Sequence, residues 1–188
     1  MRKVIAVIGD ANIDGDDLKR RVCLETGKAL VDAGYRVCTG GLGGVMEAVF
    51  EGAKMSEKYV DGDCIAIIPG MRKSQANKLA DIVIPTSVGI LRNGIVTLAD
   101  AVIAIGGGAG TLCEASFAWS YKKLIVAFSN VSGTSGNIAG TRMDYRNRYP
   151  EIPDDQVWGV TTGEEAVALI NKKLDSYNLE PGFKSTDI

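Results

Sequence analysis

The 188 residues are enough for one domain of ordinary soluble composition, 46% apolar and 23% charged, which needs no disulfide or metal staple to bury a core. A net charge of −2 speaks against a general nucleic-acid binder, and no run approaches the roughly 18 apolar residues of a membrane span. Histidine is absent, so Ser-His-Asp triads, Cys-His pairs and histidine-ligated zinc are excluded, and acid or base chemistry falls to Glu, Asp, Lys, Tyr or Cys.

Short apolar runs predict strands at 4–8, 35–38, 64–68, 82–84, 101–105, 124–128 and 157–160. Most are continuous rather than alternating, the pattern of strands covered on both faces. Helical spacing predicts helices at 16–33, 45–55, 91–98, 111–121 and 163–174. Asp16 and Asp17 suit a helix start, Gly34 a helix end, and Glu164 with Glu165 the first turn of the last helix. Alternating strands and helices imply an α/β fold: a doubly wound, mainly parallel sheet flanked by helices, Rossmann-like. Residues 1–175 are expected to form a single domain and 176–188 a loosely docked tail. Two irregular stretches, 69–80 and 129–150, are long enough to be binding loops. Arg142, Arg146 and Arg148 in the second read either as phosphate contacts or as a solvated basic loop. The first apolar run is too short for a signal-peptide core, and Cys23, Cys38, Cys64 and Cys113 form no C-x-x-C pair. A cytoplasmic protein with reduced, structural thiols is expected, with no metal site and no nucleic-acid or membrane partner.

The pattern Gly-Gly-x-Gly-x-x-x-Glu-Ala occurs twice, beginning at Gly40 and at Gly107. Each copy follows a strand and leads into a helix, where backbone N–H groups and the helix dipole favour an anion. Phosphate contacts are therefore expected from Gly40, Gly41 and Gly43 in the first loop and from Gly107, Gly108, Gly110 and Thr111 in the second. The second copy carries a hydroxyl at Thr111 where the first has Gly44, so the first is expected to supply backbone and a close-packed wall. Neither loop has the G-x-G-x-x-G or G-x-x-x-x-G-K-[ST] spacing of the common nucleotide folds. Asp10, Asn12 and Asn93 are further candidate ligand contacts at crevice-facing turns.

The segment 106–114 (GGGAGTLCE) resembles the P-G-G-x-G-T-x-x-E motif of the LOG-type phosphoribohydrolases, members of the SLOG superfamily often labelled lysine decarboxylase-like. Arg92 in LRNG matches the arginine that partners the motif glutamate, and GGLGGVMEA matches the earlier G-G-x-x-G-x-M segment. The resemblance runs from Val4 to about residue 174. IPG at 68–70, Ala76-Asn77, IVIPT at 82–86, Arg92-Asn93 and GGGAGTLCEA are similar to the bacterial subgroup that includes the molybdenum-cofactor carrier proteins. Gly106 departs from the hydrolases' Pro, and Cys113 from their frequent second Glu.

The resemblance implies a phosphorylated, nucleotide-like ligand held at the glycine loops, with no other cofactor required. Two readings follow. In the first, the N-glycosidic bond of a nucleoside 5′-monophosphate is hydrolysed, with Glu114 stabilising an oxocarbenium ion or activating water and Arg92 positioning substrate and glutamate. In the second, the protein is a non-catalytic carrier of molybdenum cofactor or a related phosphorylated pterin. Relatives of this kind imply a homodimer or homotetramer.

Overall fold

The computed structural model describes residues 1–177. Chain order is β1 (Val4–Gly9), α1 (Asp17–Asp32), β2 (Arg36–Thr39), α2 (Val45–Lys54), β3 (Cys64–Ile68), β4 (Ile82–Pro85), α3 (Arg92–Val96), β5 (Ala101–Ile105), α4 (Ala109–Ser120), β6 (Leu124–Phe128), α5 (Thr134–Ile138), β7 (Trp158–Val160) and α6 (Gly163–Tyr177). The seven strands form one all-parallel sheet in the order β4-β3-β2-β1-β5-β6-β7. The chain winds outward from β1 to β4, returns to the other side of β1 as β5, and winds out again. That reversal leaves a crevice at the C-terminal ends of β1 and β5, where open α/β sheets bind ligands.

Strand side chains alternate between two cores. Ile5, Val7, Ile103 and Ile105 join α1, α2 and α6 on one side; Ala6, Ile8, Val102 and Ala104 join α3, α4 and α5 on the other. β5 (AVIAI) and β6 (LIVAF) are buried at every position, which is why their sequences are apolar without alternation. Asp16 caps α1 by accepting from the Lys19 amide, and Gly34 follows with φ +87°. Cys23, Cys38 and Cys64 are buried, and burial pushes each thiol up to about 12, so they are packing groups. Cys113 is half-buried. No helix among the described residues is long and apolar enough to cross a membrane.

Three features differ from the sequence expectation. The stretch 129–150 contains α5, five residues too short for a visible apolar period. Its arginines divide: Arg142 and Arg146 are exposed, as a solvated loop predicts, whereas Arg148 is not. Arg148 is buried, donates to both carboxylate oxygens of Asp155 at 2.8 and 2.7 Å, and lies 3.6 Å above the Trp119 ring. Arg146 pairs with Asp144, and Arg142 donates to the Arg146 carbonyl. Finally, α6 continues through Ser176 and Tyr177 into the expected tail, because the Tyr177 hydroxyl donates to Asp155 at 2.7 Å and its ring packs edge-on against Tyr149. Positions 178–188 of that tail lie outside the described residues.

Candidate functional site

The crevice holds a cleft of about 250 Å³ at the ends of β1, β2 and β5. Its polar lining comes from Asp10 after β1, from Arg92 and Asn93 on α3, and from Thr111 and Glu114 on α4. Gly40, Gly108 and Gly110 bring backbone to its wall, and Ile8, Leu42 and Met46 make its apolar part.

Arg92 and Glu114 come together as a buried ion pair, with Nη1 donating to Oε1 at 2.7 Å. Arg92 is 8% exposed and Glu114 6%. Burial raises the Glu114 pKa to about 7, outweighing the opposing effect of the Arg92 charge and hydrogen bond. The carboxyl is thereby poised to exchange a proton near neutrality. Arg92 Nε has no hydrogen-bond partner among the described residues, although it is buried. A buried donor left unmatched is costly. The guanidinium lies against Gly40, where an added Cβ would sit 2.6 Å from Nη1, so only glycine admits the arginine here.

The second glycine loop is fastened from behind. Gly107 donates its amide to Asp10 Oδ2 at 2.8 Å, and the same oxygen accepts from Lys19 Nζ at 2.8 Å. Burial opposes the Lys19 charge, but Asp10 and Asp16 more than compensate and hold its pKa above the ordinary value. On the other flank, the Thr134 and Ser135 amides donate to the Gly107 and Gly106 carbonyls, Thr134 Oγ1 donates to the Gly108 carbonyl, and Gly106 donates to Ser135 Oγ. Gly106 has φ +62°, inaccessible to the proline of the resembling motif, whose φ is fixed near −65°.

With its back secured, the loop presents its front to the cleft. Gly108 gives α4 no side-chain cap, so the first-turn amides keep their capacity to bind an anion. A Cβ at Gly108 or Gly110 would meet nothing within 4 Å, which marks open space on this side. Asn93 Nδ2 lies 3.5 Å from the Gly110 carbonyl and steadies the same turn.

Not every expected contact lies on this cleft. Gly107, Gly41 and Gly43 are not among its lining residues. The Gly107 amide is occupied by Asp10, and the Gly41 and Leu42 carbonyls accept from the Asn77 amide and side chain. Asn12 accepts from the Asp14 amide and lines a second cleft of about 480 Å³ with Arg20, Glu47 and Glu51; Ala11 borders both clefts. Sequence reasoning missed Lys19, Thr134 and Ser135, and noted Asn77 only as part of the family resemblance. Lys19 had a signal: it stands three and four positions before Val22 and Cys23, on the buried stripe of α1, where a lysine needs a partner.

A family model described as the SLOG cluster4 family matches residues 2–151. The chain belongs to that family. It is also 37% identical over 124 residues to an uncharacterised protein of Archaeoglobus fulgidus, covering 65% of this chain and 78% of the relative. Among solved structures, the structural-genomics target TM1055 is similar at 27% identity and a TM-score of 0.76, covering 90% of this chain and 99% of that one. The molybdenum cofactor binding protein of the phototrophic bacterium Rippkaea orientalis is similar at 27% identity and a TM-score of 0.73, covering 92% and 97%. The likeness to the LOG-like superfamily and to its molybdenum-cofactor subgroup thus holds, and so does the parallel, helix-flanked fold.

Proposed function

We propose that this SLOG protein is a carrier that holds a phosphorylated, pterin-type cofactor such as molybdenum cofactor and breaks no bond in it. The observation that carries the reading is the cleft itself. An uncapped helix N-terminus offers open amides beside Arg92, a guanidinium that lines the cleft. These are complementary to a phosphate monoester. Gly108, Gly110 and Thr111 border the phosphate, Arg92 supplies the positive charge, and Asp10 and Asn93 fix the walls. The similarity to the Rippkaea orientalis protein supports a molybdenum-cofactor cargo. The second cleft, which shares the lining residue Ala11, lies beside the first.

To test this, the protein is purified from cells that make the cofactor, denatured and oxidised, and the released pterin is read by fluorescence and mass spectrometry. Pterin approaching one per chain, lost in Gly108→Val with the fold intact, is the expected result. Protein without pterin that releases free base from nucleoside monophosphates would overturn it.

One observation favours that second reading, hydrolysis of a nucleoside 5′-monophosphate. A Glu114 carboxyl with a pKa raised to about 7 suits proton transfer at neutral pH. Base release from a monophosphate panel, abolished by Glu114→Gln, would establish it.

A further inference from the structure

Between Cys64 and Ala80 the chain carries three cations, Arg72, Lys73 and Lys78, and no acid. All three are exposed, and none pairs with a carboxylate among the described residues. Cations elsewhere on the surface are mostly matched: Lys3 with Asp175, Arg20 with Glu51, Lys28 with Asp32, Lys54 with Asp81 and Arg146 with Asp144. Three like charges held close together without a counter-charge repel one another and favour an anion among them.

The backbone beneath these cations is fixed. Residues 73–75 form a single 3₁₀ turn, in which the Gln75 amide donates to the Arg72 carbonyl at 3.0 Å and Gln75 Oε1 accepts from the Arg72 amide at 3.0 Å. Asn77 ties the turn to the first glycine loop, its amide donating to the Gly41 carbonyl and its Nδ2 to the Leu42 carbonyl, each at 2.8 Å. Leu42 lines the first cleft and Leu79 the second, so the cations stand on a loop that borders both. The clefts themselves are acidic. Asp10 and Glu114 in the first and Asp14, Glu47 and Glu51 in the second are accompanied in the lining only by Arg92 and Arg20, while Lys19 offsets Asp10 from behind. A phosphorylated ligand approaching such a lining meets an excess of negative charge unless cations at the mouth draw it in.

We propose that the loop after β3 is an electrostatic funnel: Arg72, Lys73 and Lys78 draw the phosphate of the ligand to the mouth of the cleft and speed its capture, and the α4 amides with Arg92 then hold it. The inference rests on the phosphorylated ligand of the proposed function and applies to a pterin and a nucleotide alike. Charges at the rim of a site act on the rate of association, whereas dissociation is set by the short-range contacts inside. Cations without a partner suit this role, since no ion pair has to break when the phosphate arrives. A single-stranded nucleic acid fits less well, because the stretch 69–80 has no aromatic side chain on which bases could stack.

The test is stopped-flow fluorescence of the full chain with two probes, a pterin phosphate monoester and ethenoadenosine monophosphate. Rates are taken at about 0.01 M salt, where charges reach roughly 30 Å, and at about 0.15 M, where they reach roughly 8 Å. In the combined variant Arg72→Gln, Lys73→Gln, Lys78→Gln the association rate is expected to fall about tenfold at the lower salt, with dissociation within about twofold of wild type. The difference should narrow to about twofold at the higher salt. A control variant, Lys28→Gln, Lys58→Gln, Lys172→Gln, removes the same charge from the opposite edge of the sheet, since helices that follow parallel strands run back towards the strand N-termini. Its association rate is expected to stay within about twofold of wild type. Circular dichroism should report the wild-type fold for both variants. An unchanged association rate in the loop variant, a loss confined to dissociation, a fall that does not narrow with salt, or an equal fall in the control would overturn the inference. A protein that binds only the nucleotide overturns the carrier reading instead, and the same rates then decide the funnel with that probe; binding of neither overturns both.

Discussion

The two copies of the glycine motif share a sequence pattern and adopt different structures. α2 starts at Val45, five positions after the first copy begins at Gly40; α4 starts at Ala109, two positions after the second begins at Gly107. The helix therefore begins three residues earlier in the second copy. Gly44 is the pivot of the difference, since its φ of +63° is not helical and its Cα faces the Asp10 and Ala11 main chain. Its counterpart Thr111 lies inside α4 with its loop held by Thr134 and Ser135. Nearly one extra turn of helix moves the motif glutamate from a rim to an interior. Glu47 is exposed on the second cleft, whereas Glu114 is buried against Arg92. One loop is filled by the protein's own atoms and the other is left open at its front.

Substituting Gly44→Thr, which makes the first copy resemble the second, gives the largest expected effect. The positive φ and the overlap with Asp10 O together cost about 3 kcal/mol, read as a lowered midpoint in urea unfolding. An unchanged midpoint would mean the first loop is not close-packed.

Next comes Glu114→Gln, which probes the buried glutamate. The folded-state pKa is raised from the ordinary glutamate value of 4.5 to about 7, so between these values the native state holds a proton that the unfolded chain releases. This group's contribution to stability is present below about pH 4.5 and is lost as pH rises through 7. The stability of Glu114→Gln relative to wild type should therefore rise by about 3 kcal/mol as pH increases across that window, read by urea titration at a series of pH values. A pH-independent difference would contradict the raised pKa.

A smaller effect is expected for binding of a phosphate-bearing pterin by the wild-type protein. Protonation of Glu114 removes a negative charge from the cleft, so affinity should rise several-fold, about 1 kcal/mol, from pH 8 to pH 6. Calorimetry at both pH values checks this, and Glu114→Gln should flatten the trend.

The smallest change in stability is expected for Gly110→Ala. It replaces a helical glycine in open space and should gain about 0.5–1 kcal/mol by thermal melting. The same methyl group enters the cleft, so ligand retention should fall. Stabilisation with full retention would place the ligand elsewhere.

Much of the fold was legible in local sequence. The buried strands β5 and β6 announce themselves as continuous apolar runs, and the Asp16 cap and Gly34 stop follow from side-chain chemistry that needs no distant partner. α5 was not legible, because five residues with two hydroxyls and a glycine carry no apolar period. Nor was the fate of Arg148, whose partners Asp155 and Trp119 are fixed by packing. At the site, Arg92, Glu114, Thr111, Gly108 and Gly110 were readable from the motif. The Asp10 to Gly107 bond spans 97 positions and could not be read from spacing.

The sequence by itself determined the parallel α/β architecture, the two glycine turns and the residue types able to hold a phosphate, because these depend on short-range pattern and backbone chemistry. Only the tertiary structure decided which glycine loop opens onto the cleft and that Glu114 is buried beside an arginine. Those outcomes depend on which groups lose water when distant segments meet, and desolvation is a property of the assembled fold rather than of any one segment.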